Sequence, residues 1–339
     1  MRTVRLHGPG RLLLADEADP QVPPGFAAVR MTAVGICGSD LHWYLEGGIG
    51  DATLQRPLVP GHELAGVVDL DGSAQRVAID PAVPCDACPT CHAGDANLCP
   101  QVDFAGHSRD GGLQETLLWP RNLLHPLPDH VDDVEGAMLE PLGVALHALD
   151  LGHLRLGMRV LVVGCGPIGL LLVQLARLAG ATTVMGVEPL AARRDAALRY
   201  GADHAVADAD ALAEMAGATG FDVAFEVTDD GRAVEAALAA VRPGARIVLV
   251  GIPTDDRTSF TASLARRKGL TLVLSRRMHG TYPRAIDLVA TRRVDVASLV
   301  THRFGLEQTA DAFAVAARRQ GLKTVIHPDR PSTAGDTSH

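Results

Sequence analysis

Lysine is almost missing from this chain: among 31 basic residues only Lys268 and Lys323 are lysines, and 40 acidic residues leave a formal net charge of -9. Such a surface offers a phosphate backbone no basic run with interleaved aromatics, so nucleic acid is not an expected partner. Neither lysine sits in a recognisable site, which speaks against Schiff-base chemistry. Long apolar runs are also lacking. The longest, from Val160 to Leu172, is broken by Gly164, Gly166, Pro167 and Gly169 and falls short of the ~20 residues of a membrane span. No signal peptide is read at the N-terminus, where the apolar patch Leu12 to Ala15 runs into Asp16, Glu17 and Asp19; a reducing, cytoplasmic compartment is expected. No repeat of solenoid period occurs. What remains is 339 residues, 47% hydrophobic and 21% charged, enough for about two domains with full cores. The segment 329–339, rich in Pro, Ser, Thr and Gly, is expected to be disordered.

Cysteine is scarce but concentrated. Four of the six fall in one Pro- and Gly-punctuated stretch as Cys85, Cys88, Cys91 and Cys99, a Cys-x2-Cys-x2-Cys-x7-Cys spacing that lets thiolates surround one Zn²⁺. A closed all-sulfur site holds a loop together and does no chemistry. The alternatives are a pair of disulfides, disfavoured in a reducing compartment, and a nucleic-acid-binding zinc ribbon, disfavoured by the charge.

The chain has two textures. Up to about residue 145 it reads as short strands broken by Pro and Gly, for example Ala27 to Met31 and Leu64 to Val68, which predicts an irregular antiparallel β domain with little helix. From Arg159 strand and helix alternate: Val160 to Val163, Val184 to Val187, Ala205-Val206, Asp222 to Val227, Arg246 to Val250 after a Pro243-Gly244 turn, and Leu270 to Leu274. Six such strands make a doubly wound parallel sheet. After about Thr281, helices at Arg284 to Ala290 and Thr309 to Arg318 and a strand at Lys323 to Ile326 form a segment able to dock back on the first domain.

Gly164-Cys165-Gly166-Pro167-Ile168-Gly169 matches G-x-G-x-x-G, a weak pattern alone in a chain with 35 glycines. Here it follows an apolar strand and opens a helix, so the glycines permit a tight turn, a pyrophosphate against backbone and close helix–strand packing, with the helix N-terminus facing the phosphates. About 20 residues on, Glu188 stands where a carboxylate accepts from a ribose diol and repels a 2′-phosphate. That favours NAD. Arg193 and Arg194 pull the other way, as a guanidinium there could pair with the 2′-phosphate; they could equally be solvated, or Arg193 could pack near the adenine.

Cys37, in Gly35-Ile36-Cys37-Gly38-Ser39-Asp40-Leu41-His42, and His62-Glu63 offer thiolate, imidazole and carboxylate, all zinc donors. In isolation Cys37 reads as a small buried hydrophobe and Glu63 as a surface charge. Together with EGGIGD (46–51), PGHELAG (60–66), the cysteine lobe, EPLGVALHA (140–148), GCGPIG and VTHRF (300–304), these segments make the chain resemble the zinc-dependent medium-chain dehydrogenase/reductase superfamily, in particular its sorbitol (polyol) dehydrogenase and idonate 5-dehydrogenase branch. The resemblance runs from Val34 to about Ile326. It implies an α/β protein: a GroES-like β-rich catalytic domain (1–147, with 282–328 returning to it) into which a Rossmann domain (148–281) is inserted. It makes Cys37, His62 and Glu63 ligands of a catalytic zinc, and Glu140 either a fourth ligand or the group that holds a zinc-bound water. Ser39 and His42 become a proton relay, and Val250 and Ile252 complete the NAD site. Tyr44 and Arg277 fall at the substrate. The implied chemistry needs this set, because an alcohol gives up hydride only once its hydroxyl is deprotonated, and zinc as a Lewis acid lowers that pKa; an imidazole near pKa 6.5 suits proton release.

Three places depart from the pattern. Met278 follows Arg277 where tyrosine is common, Thr228-Asp229-Asp230 replaces a Ser/Thr-Gly turn, and the stretch between Asp69 and Val77 is short, as if a hairpin were trimmed. The expectation is thus a zinc- and NAD-dependent dehydrogenase of a polyol, sugar acid or cyclitol, with two zinc ions per chain, a small-molecule substrate and a homo-oligomeric state, tetramer or dimer. A zinc-free, NADPH-linked quinone or enoyl reductase of the same fold would have no reason to keep both donor sets, and a non-catalytic zinc-stabilised protein no reason to keep Ser39, His42 and Glu140.

Overall fold

The computed structural model describes residues 1–70, 72–217 and 219–330. The chain forms two units, one from Met1–Pro141 with the described residues from Tyr282 onward, the other Leu142–Thr281. This division falls at 141/142, inside helix Leu139–Gly152, where the resemblance implies 147/148.

The first unit is built on a seven-stranded sheet. Its path is Leu124–Pro126, Ser73–Ile79, Glu63–Leu70, Phe26–Gly35, Lys323–His327 and Val300–Gly305, with Thr116–Pro120 also paired to Phe26–Gly35. The central strand Phe26–Gly35 alternates exposed and buried residues at first and is continuously buried from Met31, as expected where a strand passes from a half-covered face into the core. Val29, Met31, Leu64, Val77, Ile79 and Trp119 fill that core, and the Trp119 indole N–H reaches the Asp80 carbonyl at 2.7 Å. Strands Glu63–Leu70 and Ser73–Ile79 pair antiparallel, Leu70 opposite Ser73.

The returning segment does dock on this unit: Lys323–His327 pairs antiparallel with Phe26–Gly35, Ile326 opposite Val34. One pair departs from the antiparallel expectation. Val300–Gly305 and Lys323–His327 run parallel, connected through helix Thr309–Ala317, since a parallel pair needs a crossover. The tail also begins later than expected, for Asp329 pairs with Arg30 at 2.8 Å and the Arg330 N–H bonds the His327 carbonyl. Residues 331–339 of that expected tail lie outside the described residues.

The second unit is a six-stranded parallel sheet in the order His204–Val206, Thr183–Val187, Arg159–Val163, Phe221–Glu226, Val241–Leu249, Thr271–Leu274. The order reverses beside the first strand, the doubly wound switch point at which ligands bind. Arg159–Val163 and Thr183–Val187 are buried but for their first residues, as covering on both faces demands. The Pro243-Gly244 turn lies inside a strand: Phe221 faces Val241 while Val223 faces Arg246, so the turn is looped out as a bulge. No helix among the described residues is long and apolar enough to cross a membrane.

Candidate active site

Two groups of metal-competent donors occur among the described residues, both in the first unit. In the cysteine lobe the sulfurs of Cys85, Cys88, Cys91 and Cys99 lie within 4.8 Å of one another, with Cys88–Cys91 at 3.5, Cys88–Cys99 at 3.9 and Cys99–Cys85 at 3.5 Å. Four ligands about 2.3 Å from a tetrahedral zinc stand about 3.8 Å apart, so the lobe fits that ion. The cysteines carry no disulfide. Short helix Pro89–His92 starts on Cys88, whose sulfur accepts the Cys91 N–H; that bond is the largest of the contacts that lower the Cys88 thiol to about 6, while burial and the neighbouring sulfurs push Cys91 up to about 12.

The second group is Cys37, His62 and Glu63, again within 4.8 Å. The sheet assembles it. Cys37 follows the end of Phe26–Gly35, Glu63 opens the neighbouring strand opposite Gly35, and His62 precedes it. Gly35 is required here, because a Cβ at that position would collide with Glu63 Oε2. Cys37 is also the N-cap of helix Gly38–Glu46, which puts Ser39 Oγ 3.4 Å from His62 Nε2.

Asp40 organises this site and escaped sequence reasoning. It is 1% exposed, accepts the Cys37 N–H at 2.9 Å and the Gly61 N–H at 3.2 Å, and lies 3.4 Å from His62 Nδ1. Burial pushes its carboxyl up, yet His62 and those backbone donors outweigh burial and hold it below the usual range. A carboxylate on one ring nitrogen orients the imidazole and leaves the other for a metal. His62 follows suit: burial disfavours its charge, but Asp40 and Cys37 hold it well above the usual range. One oxygen of the set, Glu63 Oε2, is buried with no hydrogen-bond partner among the described residues. A carboxylate oxygen left bare beside a thiolate and an imidazole matches the donor chemistry of zinc.

Lys323, read from the sequence as lying in no recognisable site, lies in this one: it is 4% exposed, and its ammonium donates to Glu63 Oε1 and, at 2.8 Å, to the Ile36 carbonyl. Burial disfavours its charge but Glu63 and Cys37 hold its pKa above the usual range. Its signal in the sequence was rarity alone, a buried lysine in a chain with two.

Glu140, at the start of helix Leu139–Gly152, stands outside the 4.8 Å group. Burial raises its carboxyl to about 7, against the pull of nearby His62. His42 Nδ1 lies 3.1 Å from Glu46 Oε1 one turn along the same helix, where Glu46 is exposed. Tyr44 belongs elsewhere: its ring packs 5.1 Å from that of Phe313 against the core. Five residues past Ser39, it is turned about 140° around the helix, away from the face Ser39 presents to His62. Aromatic character near the cluster comes instead from Phe104, its ring 5.3 Å from His62, and Trp43 is edge-on to His107 at 5.2 Å.

In the second unit the glycine-rich loop has the form the motif requires. Gly164 takes φ 97°, a Cβ on Gly169 would collide with the Gly164 carbonyl, and at Gly166 the nearest group to a Cβ is the Arg193 guanidinium, 3.7 Å off. That openness lets a phosphate approach, and helix Pro167–Leu178 starts there with Pro167 at its first turn. Glu188, after the second strand and 4% exposed, accepts the Cys165 N–H at 3.0 Å and the Leu190 N–H at 3.1 Å; each oxygen keeps a lone pair for a further donor. Of the two nearby arginines, Arg194 bonds the Glu188 and Pro189 carbonyls at 2.8 and 2.7 Å. Arg193 alone overlooks the loop. Val250 follows the fifth strand, its N–H on the Glu226 carbonyl at 2.8 Å, and Ile252 is exposed just beyond. Arg277, in left-handed backbone at φ 56°, precedes buried Met278.

Comparison with known proteins agrees with both units. Residues 23–129 match the alcohol dehydrogenase GroES-like domain and 167–291 the zinc-binding dehydrogenase family. A sorbitol dehydrogenase of Bacillus subtilis (strain 168) is 33% identical over 97% of this chain and 98% of its own length. Among solved structures, L-idonate 5-dehydrogenase of Escherichia coli K-12 aligns with a TM-score of 0.89 at 27% identity, covering 96% of this chain and 97% of that one. A zinc-binding dehydrogenase of Sinorhizobium meliloti 1021, bound to NADP, aligns at 0.88 with 31% identity over 96% and 99%. With near-complete coverage at that identity, and with the thiolate, imidazole and carboxylate gathered at one sheet end, the chain belongs to the zinc-dependent medium-chain alcohol dehydrogenases.

Proposed function

We propose that this dehydrogenase moves hydride from a secondary alcohol of a polyol, sugar acid or cyclitol to NAD, with one zinc on Cys37, His62 and Glu63 and a second on Cys85, Cys88, Cys91 and Cys99. The observation that carries the reading is the three-donor group with its bare Glu63 oxygen, an open set beside a closed set of four. Zinc bound there supplies the Lewis acidity that makes an alcohol hydroxyl acidic. The chain's own groups handle the rest. Ser39 takes the proton at Oγ and passes it towards His42, whose ring Glu46 orients from the Nδ1 side. Glu140, buried with its carboxyl raised to about 7, can accept a proton from, or donate one to, a substrate hydroxyl. Asp40 fixes the His62 ring throughout.

The preference for polar substrates rests on Glu140 and Arg277, which the resemblance sets at the metal and at the substrate, as an acceptor and donors for hydroxyls next to the reacting one. A site built to hydrogen-bond such groups rejects analogues lacking them by factors on the order of 10⁴. Polyols, cyclitols and aldonic acids should therefore outperform 2-propanol or benzyl alcohol in kcat/KM. Arg277→Ala should raise KM for the best substrate about ten- to a hundredfold, the loss of a charged hydrogen bond, and leave a simple secondary alcohol almost unchanged. If plain alcohols prove best, the polyol reading falls.

The NAD preference rests on Glu188. Wild type should favour NAD over NADP, and Glu188→Ser should cut that preference about tenfold or more. Because Glu188 also accepts two backbone N–H groups, Glu188→Gln serves as the charge-only control. A wild-type preference for NADP would mean that Arg193 outweighs the carboxylate. Free thiols throughout fit a reducing cytoplasm. A homo-oligomer is supported by the open edge strand Thr271–Leu274, whose Leu274 is 78% exposed.

A further inference from the structure

We propose that Lys323 is a positioning residue that acts on the catalytic metal through Glu63: its ammonium occupies one carboxylate oxygen, keeps Glu63 a single-oxygen ligand, and returns one positive charge to a site whose two anionic donors would otherwise cancel that of the dication. The inference rests on the zinc reading of Cys37, His62 and Glu63.

The two oxygens of Glu63 have opposite surroundings. Oε1 accepts from Lys323; Oε2 lies over Gly35, where a side chain would displace it, and has no partner. The division is built in by the sheet. Lys323 opens the returning strand, which is tied to the central strand's end through Val325 opposite Gly35 and the Ile36 N–H on the Thr324 carbonyl at 3.0 Å. The ammonium also holds the Ile36 carbonyl at 2.8 Å, so one charge contacts Glu63 and the backbone just before Cys37. Burying an ammonium is costly, and Met or Leu would fill the space without that cost, so stabilising the sheet is a poor reason for lysine. Its electrostatic effect on a nearby dication is specific: it repels the metal and weakens the carboxylate as a donor. The metal is held less tightly and stays more electrophilic.

The two roles predict opposite signs. Removing a structural staple loosens zinc, whereas removing a competing charge tightens it. The readout is the half-life of the zinc that Cys37→Ser lacks, followed by metal analysis of the full-length protein during incubation with a chelator such as dipicolinate, together with kcat and KM. Lys323→Met should hold that zinc about tenfold longer than wild type, the scale of outer-ligand effects on metal affinity, with kcat reduced and KM little changed; Lys323→Arg should restore wild-type behaviour. Glu63→Gln alone should lose the zinc quickly, leaving a buried ammonium facing the ion, and adding Lys323→Met to it should lengthen retention again. Equal or faster zinc loss in Lys323→Met, or a double variant worse than Glu63→Gln, overturns the proposal. If Lys323→Met does not fold, the Glu63→Gln pair decides, and if neither Lys323→Met protein is soluble the lysine is a staple and the proposal falls. A Cys37→Ser protein with undiminished zinc would instead overturn the underlying metal reading.

Discussion

Cys37→Ser should lose one zinc per chain and its turnover while keeping its fold. The thiolate follows the strand Phe26–Gly35, and its sulfur lies within 4.8 Å of the His62 and Glu63 donor atoms; a serine hydroxyl there is a poor ligand at neutral pH. Loss of the Lewis acid removes several kcal/mol of transition-state stabilisation, a fall in kcat on the order of 10³-fold or more. The fold should survive because Cys37 contributes little packing, and Asp40 still receives the residue 37 and Gly61 N–H groups. Zinc analysis, circular dichroism and steady-state rates on one preparation check all three parts. Full zinc with full activity would remove Cys37 from the site.

Cys91→Ser should do the reverse. The lobe has one short helix, Pro89–His92, one 3-10 turn and two two-residue strands, and Leu98 at its surface is half exposed, so there is little apolar burial to hold it without metal. Binding energy at such a site is folding energy. A loss of about 3–5 kcal/mol, on the order of 10 °C in Tm, is expected, with kcat per folded molecule close to wild type. Tm by calorimetry and kcat at low temperature separate the two effects. Unchanged Tm would show that the lobe stands without its ion.

What could be read from residues alone depended on how local the determinant was. The cysteine quartet, the glycine-rich loop and the six strands of the second unit are short-range patterns in which spacing, turn chemistry and β-branched runs dictate geometry. Cys37, His62 and Glu63 needed a second segment, and the resemblance supplied it. Lys323 could not be found that way, since its partner is 260 residues distant and a lone lysine has no periodicity. Asp40 was visible in the GICGSDLH run but gave way to Ser39 and His42, because whether a carboxylate faces a ring or solvent is set by the helix's docking. Tyr44 failed for the same reason: one aromatic in the sequence looks like another until the helix phase places Trp43 against His107 and Tyr44 against Phe313. The bulge at Pro243-Gly244 shows a strong local turn absorbed by a strand whose neighbours continue the ladder on both sides.

The ion pair between Glu63 and Lys323 spans 260 positions of chain, with the whole second unit made between them. During synthesis the early β segments emerge with their metal donors near one another but without the strand that completes the sheet, and the loop to be closed is the longest kind a domain of this size can ask for. The nucleotide unit, continuous in sequence, is free to fold first. A ribosome-bound chain halted before Lys323 should therefore present a finished cofactor fold and an unfinished metal pocket, with the Val34–Gly35 end of the central strand lacking its partner until the last segment arrives.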